Sequence, residues 1–467
     1  MTANIKFGTS GWRAIIAEDF TVANVRRAIT GIARHVTSKN PAARVVVGRD
    51  PRFMGERFVE IAADVLSAFG VRPLVITEPA PTPAISYELV RLEADGAINF
   101  TASHNPPEYN GIKFSTPDGA PALPEVTSAI EGLVPNNGDF PGSNGGVRPT
   151  VEKIDPKPAY VARLREIIDL PLIRKSGLKI VYDPLWGAAR NYPDDLLRDA
   201  GIPVSTVHDM RDVLFGGHAP EPDGGVLEEM RATMQATGAR IGIATDGDAD
   251  RFGIVDEDGT FIQPNYVLAL LFDYLVETRG WKNGVGKSVA TTNMINALAE
   301  YYKVELHETP VGFKYIGELI KQDKLAIGGE ESAGLTIRHH VPEKDGILAG
   351  LLCCEAVARR KKSLRRQIEE NIFGKVGSFY PQRDNFLLTP EVKQKFTEKL
   401  TSDPVELAGR KVRQVVRTDG MKLIFNDGSW ICYRLSGTEP VVRVYSEAKS
   451  EAELRNLALA ARDWIFN

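Results

Sequence analysis

Cysteine, long apolar runs and a dominant charge sign are all scarce in this chain of 467 residues, and each shortage excludes something. The 3 cysteines fall as an adjacent pair, Cys353 and Cys354, and a lone Cys432. That pattern is neither a disulfide framework nor a zinc-ligand spacing, and it points to reduced thiols in a cytoplasmic protein. The most apolar stretches, such as residues 347–358, are broken by charges such as Glu355 and fall short of the ~18 residues that suggest a membrane span. The opening MTANIKFGTSGWR carries no apolar h-region of a signal peptide. A formal net charge of −4 gives no overall attraction to nucleic acid or acidic membranes. Neither is expected as a partner, and any anion must be held by local clusters. Oligomeric state leaves no mark in the sequence.

What is present is the composition of an ordinary globular protein, 43% hydrophobic and 25% charged. The length suggests about three or four domains. A first pass along the chain reads as a helix over 22–36, a strand over 44–48, a turn at Arg49-Asp50-Pro51, a helix over 56–69 and a strand over 72–77. The prolines at 79–83 then lead to a strand over 94–100, a polar loop and a return strand at 112–114. A second pass has strands at 178–182, 203–207, 240–245 and 252–255 and a helix over 192–200. A third has strands at 288–291, 303–307, 325–329 and 335–338, with helices over 294–302 and from 314 through Ile320. The repeat lies in pattern rather than identity, and alternating strands and helices imply α/β layers with largely parallel sheets. Residues 135–149 and 372–382 read as linkers. Beyond them, closely spaced strands at 411–417, 421–425, 430–435 and 441–447, the hairpin turn Asn426-Asp427-Gly428 and a helix over 451–466 predict an α+β unit with an antiparallel sheet.

Four polar loops carry the candidate chemistry. In FTASHNPPEYNGIK at 100–113, the break at Asn105-Pro106-Pro107 presents Ser103 on a rigid turn at a strand end. In TDGDADR at 245–251, Asp246, Asp248 and Asp250 alternate with small residues, so on an extended loop three carboxylates can meet one cation. An EF-hand is excluded, because its sixth position needs glycine and holds Arg251, and because the flanks read as strands. Three carboxylates with few other ligands suit Mg²⁺. A serine beside such a cation, with no base of the hydrolase kind, points to phosphoryl chemistry, where Arg251 could neutralise the group in transfer. RLSGTEP at 434–440 offers a guanidinium, hydroxyls and backbone N–H groups; it reads as a phosphate cradle or as a polar turn. GEESAG at 329–334 reads as a sugar-hydroxyl site or as a capped helix start. Lys113 in NGIK and Lys344 in PEKDG read as solvated or catalytic lysines. GVGKS at 284–288 ends like a P-loop but has Trp281 where the pattern needs glycine, and His339-His340 lacks a third ligand at metal spacing.

TASHNP at 101–106, DGDADR at 246–251, GEES at 329–332 and RxSGTEP at 434–440, in this order, resemble the α-D-phosphohexomutase superfamily, and FGTSGWR at 7–13 and GRDPR at 48–52 fit it too. GEES together with VGFK and EKDG is most similar to phosphoglucomutases; relatives acting on mannose or glucosamine phosphates more often read GEMSGH or GEQSGH. This chain has Gly334 at the place of that histidine. The resemblance implies three similar α/β domains with mixed, largely parallel sheets and a C-terminal α+β domain with an antiparallel sheet, around a central cleft. The expected bounds are 1–145 with the phosphoserine loop, 146–256 with the metal loop, 257–372 with the sugar loop and 373–467 with the phosphate loop.

The resemblance also implies reversible exchange of hexose 1-phosphate and hexose 6-phosphate, glucose first, through a phosphoserine and a hexose 1,6-bisphosphate that also serves as activator. Mannose and glucosamine phosphates are the alternative substrates, and a Mg²⁺-dependent sugar phosphatase is the alternative of another class. By the same resemblance, Ser103 is phosphorylated and, with Asp246, Asp248 and Asp250, binds one Mg²⁺ per chain. Arg13, Lys113 and Arg251 surround the phosphoryl group, and His104 supports the serine loop. Gly312, Glu330, Ser332 and Lys344 face the sugar, while Arg434, Ser436, Gly437 and Thr438 take its resident phosphate.

Overall fold

The local order strand, helix, strand, helix, strand, loop, return strand occurs three times, and each occurrence builds a sheet of the same topology. This is seen in a computed structural model that describes residues 4–8, 10–136, 150–407, 409–436 and 440–466. The first sheet contains β1 (Trp12–Ile15), β2 (Arg44–Arg49), β3 (Arg72–Ile76), β4 (Gly96–Phe100), β5 (Tyr109–Ser115) and β6 (Glu152–Ile154), in the order β1-β5-β4-β2-β3-β6. The second contains β7 (Ile180–Asp183), β8 (Val204–Thr206), β9 (Ile241–Thr245) and β10 (Phe252–Asp256), in the order β10-β9-β7-β8. The third contains β11 (Gly284–Ser288), β12 (Leu306–Thr309), β13 (Leu325–Gly329) and β14 (Leu335–Ile337), in the order β12-β11-β13-β14. In each, a central strand pairs in parallel with two neighbours, and the second neighbour turns back through a loop into an antiparallel partner. The Ser103, Asp246 and Glu330 loops therefore leave equivalent strands, β4, β9 and β13, at their carboxyl ends, where open α/β sheets place ligands.

The fourth sheet is antiparallel throughout: β15 (Tyr380–Leu387), β16 (Glu406–Leu407), β17 (Arg410–Val416), β18 (Met421–Phe425), β19 (Trp430–Leu435) and β20 (Val441–Ala448), in the order β15-β20-β19-β18-β17-β16. Its core of Leu423, Phe425, Tyr433 and Val444 is closed by Leu457, Ala461 and Ile465 of the helix Glu451–Phe466. The largest core joins the second and third units, since Ile347, Leu348, Leu351 and Leu352 of the helix Gly346–Arg360 cluster with Ile243 and Ile254 as well as with Ile327 and Leu335. That helix buries Cys353 and Cys354. Among the described residues, no helix is long and apolar enough to cross a membrane.

Four expectations need correction. The strand expected at 288–291 lies at Gly284–Ser288, so the false P-loop is itself the central strand; its Gly-Val-Gly-Lys-Ser lacks the β-branched run that marks a buried strand. A helix, Thr82–Arg91, fills the stretch behind the prolines, because Pro83 sits in its first turn, where proline is tolerated and its fixed φ fits. The first sheet continues past residue 145 to β6, three residues, Glu-Lys-Ile, without apolar alternation. The expected linker at 372–382 instead holds the end of a π-turn, Ile368–Phe373, and the start of the edge strand β15.

Candidate active site

The Ser103 loop and the Asp246 loop meet face to face. Ser103 Oγ donates to Asp246 Oδ2 at 2.7 Å, and Thr82 Oγ1 donates to Asp248 Oδ2 at 2.5 Å. Asp246, Asp248 and Asp250 are fully buried, and one carboxylate oxygen from each lies within 4.8 Å of the others. They meet through a turn in which Ala249 takes φ 60, rather than along an extended loop. Ser103 is only 1% exposed, so its turn is buried. Burial and the charges of Asp248 and Asp250 push the Asp246 carboxyl well above its ordinary range. Burial acts the same way on Asp250, but Lys113, Lys344 and Arg251 outweigh it and hold that carboxyl well below. Asp248 Oδ1 and Asp250 Oδ1 are buried without a hydrogen-bond partner. Hard oxygens, concentrated negative charge and orphaned acceptors are what a divalent cation satisfies, so the three aspartates fit a metal ion.

Cations ring this cluster. Lys113 Nζ contacts Asp248 Oδ2 at 2.5 Å and Asp250 Oδ2 at 2.7 Å, and Lys344 Nζ reaches Asp250 Oδ2 at 2.7 Å. Both lysines are buried rather than solvated. Burial alone would lower the Lys113 ammonium, but Asp248 and Asp250 raise it further, so it stays charged. Arg13, carried by β1 opposite Gly111, donates to Asn105 Oδ1 at 2.7 Å. Arg251 Nη1 pairs with Glu221 at 3.1 Å, while its buried Nε has no partner. His104 follows Ser103 on the same loop. Its buried Nδ1 is unpartnered, and burial, Arg251 and Arg13 hold the ring well below its ordinary pKa, hence neutral.

The third unit closes on this pair through the EKDG turn. Gly346 N donates to Ala249 O at 3.1 Å, and a Cβ at Gly346 would overlap the Arg251 carbonyl, so only glycine permits the contact. Asp345 caps the helix through Leu348 N and also receives Tyr160 Oη at 2.7 Å. His340 Nε2 lies 2.8 Å from Asp345, a buried structural role. A Cβ at Gly334 would overlap the aliphatic chain of Lys344, so that lysine fills the space a larger residue at 334 would need. Glu330 Oε1 accepts Gly312 N at 2.7 Å; burial and the neighbouring Glu331 push its carboxyl up to about 7. Ser332 is half-buried on the same loop.

Arg434, at the end of β19, contacts Asp419 Oδ2 at 2.9 Å, and the same oxygen accepts Val311 N at 3.1 Å, joining the fourth unit to the Gly312 loop. Ser436 N donates to Val441 O at 2.9 Å. Gly437 and Thr438 lie outside the described residues. Sequence reasoning gave no role to Thr82, Glu343 or Asp419. Glu343 is buried beside Lys344, and burial pushes its carboxyl up to about 7 against the pull of Lys344 and Lys113. Its only sequence signal was its place in EKDG.

Comparison with known proteins agrees with this geometry. The chain matches the phosphoglucomutase/phosphomannomutase models for alpha/beta/alpha domain I over residues 4–139, domain II over 158–259, domain III over 263–372 and the C-terminal domain over 391–463. A phosphoglucomutase/phosphomannomutase of Thermococcus kodakarensis is 32% identical, with 96% of each chain covered. A Methanosphaera stadtmanae protein provisionally named a phosphoglucosamine mutase is 29% identical, covering 99% of this chain and 98% of that one. A crystal structure from Thermus thermophilus, provisionally named a phosphomannomutase, superposes with a TM-score of 0.88 at 33% identity over 100% of both chains. With its four matched domains and its joined serine and aspartate loops, the chain belongs to the phosphoglucomutase/phosphomannomutase family, whose members are isomerase-type phosphotransferases acting on phosphosugars.

Proposed function

We propose that this protein interconverts glucose 1-phosphate and glucose 6-phosphate through a phosphoserine at Ser103 and a glucose 1,6-bisphosphate intermediate, the bisphosphate also acting as activator. The observation that carries the reading is Ser103 Oγ at 2.7 Å from Asp246 Oδ2, inside a buried ring of three carboxylates and the cations Lys113, Lys344 and Arg251. Asp246, Asp248, Asp250 and Ser103 would hold one Mg²⁺ per chain, which when bound would supply positive charge to a transferring phosphoryl group. The protein's own part is positioning and charge neutralisation. Arg13, Lys113 and Arg251 flank the phosphoryl group. Glu330 and Ser332 hold ring hydroxyls, with Gly312 behind them, and Arg434, Ser436, Gly437 and Thr438 receive the phosphate not in transfer. Lys344, whose stem fills the space beside Gly334, faces the sugar. His104, neutral by burial, is not the charged partner of the phosphoryl group.

We take the domains to divide near 145, 256 and 372, although β6 pairs back onto the first sheet. Three buried free thiols suit a reducing cytoplasm. Mannose phosphate is the second reading, because nothing in the Glu330 loop reads the C2 hydroxyl that separates the two sugars. A coupled assay of glucose, mannose and glucosamine 1-phosphates, each with a trace of bisphosphate, tests the assignment. Fastest turnover of glucose phosphate to isomer is expected. Release of inorganic phosphate instead of isomer would mark a phosphatase.

A further inference from the structure

We infer that Arg52 is the positioning residue of the Ser103 loop: one guanidinium gathers the loop's carbonyls and fixes the direction in which the serine oxygen points. The inference rests on the phosphoserine reading above. After β2 the chain turns through Asp50-Pro51-Arg52 beside the end of β4, where Asp50 N donates to Phe100 O at 2.9 Å. The Arg52 and Asp50 side chains are both 0% exposed. Arg52 Nε donates to Asp50 Oδ2 at 3.0 Å, Nη1 to Pro106 O at 2.8 Å and Tyr109 O at 3.0 Å, and Nη2 to Ser103 O and Asn105 O at 2.7 Å each. Those bonds engage all five N–H donors of a guanidinium. The aromatic ring of Phe215, itself buried, covers the guanidinium at 5.0 Å.

Both ends of Ser103 are tied to this pair. Its carbonyl accepts from Arg52, and its N–H donates to Thr101 Oγ1 at 2.8 Å, which in turn donates to Asp50 Oδ2 at 2.6 Å. The bracing meets a need visible in the backbone. Ser103 takes φ 53, a left-handed conformation that a non-glycine residue keeps only when its surroundings over-determine it. Pro106 and Pro107 contribute no backbone N–H, so the loop is short of donors for its carbonyls, although Tyr109 N also reaches Pro106 O at 3.1 Å. A phosphoryl group must leave and return to the same oxygen along one line, and a displacement of about 1 Å costs on the order of a hundredfold in rate. Lysine offers only three donors from a point charge and cannot reproduce the fork. The role is therefore geometric and is separable from one of charge.

The test follows phosphorylation of Ser103 by quenched intact-mass analysis after mixing with glucose 1,6-bisphosphate and Mg²⁺. In that step the serine oxygen bonds to phosphorus, the sugar–oxygen bond to that phosphorus breaks, and the serine proton leaves with the sugar as its hydroxyl. Wild type is expected to gain one phosphate. Arg52→Lys is expected to gain it roughly 30- to 100-fold more slowly. Its affinity for glucose 1-phosphate, read by calorimetry on the dephosphorylated protein, should stay within about threefold, because Glu330 and Arg434 lie on other units. Phosphorylation of Arg52→Lys at the wild-type rate would overturn the inference, since charge alone would then suffice. Should Arg52→Lys not fold, Thr101→Val cuts the same bracing at the Ser103 N–H and is expected to be about tenfold slower at unchanged sugar affinity; a wild-type rate there overturns the inference equally. Absence of phosphate on the wild type overturns the phosphoserine reading and the role of Arg52 with it, whereas a fast Arg52→Lys beside a phosphorylated wild type overturns the role alone.

Discussion

The serine–aspartate side of the cleft and the sugar–phosphate side differ in how firmly they are held. On the first side, Asp246, Asp248 and Asp250 are 0% exposed, Ser103 is 1% exposed, and side chains of two units are joined by bonds such as Ser103–Asp246 and Thr82–Asp248. On the second, Ser332 and Ser436 are half-buried, the Arg434 side chain is 16% exposed, and Asp419 bridges two units through a single oxygen. The contrast follows from the task. In the proposed relay the phosphoryl group is always exchanged at one oxygen, so that end would gain from rigidity. In the same proposal the sugar is held in two orientations that exchange C1 with C6, so the other end would gain from contacts that suit both.

Removing the centre of the rigid side has the largest expected effect. Ser103→Ala should lose at least about a thousandfold in kcat, because the covalent relay has no substitute. A mutant of near-normal activity would show that the buried serine is only a structural hydroxyl. Next comes Asp248→Asn, which removes one of three charges facing a hard cation and should raise the Mg²⁺ concentration for half-maximal activity while lowering kcat. An unchanged Mg²⁺ titration would place the metal elsewhere.

On the open side the effects are smaller and concern choice. Glucose 1-phosphate should be preferred over mannose 1-phosphate by roughly 10- to 100-fold in kcat/KM at most, and galactose 1-phosphate should fare worse than mannose. Glu330→Ala should erase much of the C4 discrimination, and a mutant keeping the wild-type ranking would remove Glu330 from the sugar site. A further effect, on stability rather than activity, lies at the joint between the third and fourth units. There Lys422 Nζ donates to Val289 O at 2.8 Å, and burial together with Lys287 lowers its pKa to about 7. In the unfolded chain that lysine stays protonated to 10.5, so between those pH values the unfolded state binds more protons and stability gains with rising pH. Lys422→Met should flatten that rise in urea midpoints measured from pH 7 to 10; an unaltered slope would exclude Lys422 as its source.

Much of this was legible because the site is built from short contiguous motifs. Strand β13, the helix Met294–Tyr302 and the strands β18 and β19 fall where periodicity puts them, since their apolar residues alternate or recur at helical spacing. The Asp246 loop announces itself because three aspartates stand two apart. What sequence hides is long-range pairing. Lys113 and Lys344 look like solvated lysines until β5 and the EKDG turn bring them to Asp250. The bond from Arg52 to the Ser103 carbonyl, 51 residues away in the chain, is equally hidden. Strand β11 was misplaced for the same reason: its glycines pack between β12 and β13, and no local pattern marks that burial.

The most direct test of the account uses glucose 1,6-bisphosphate labelled with ³²P in both phosphates. The enzyme is loaded with it, mapped by proteolysis, and chased with unlabelled glucose 1-phosphate. Label is expected on the peptide containing Ser103 and, after the chase, in hexose phosphate. Label absent from that peptide, or recovered as inorganic phosphate, would contradict it.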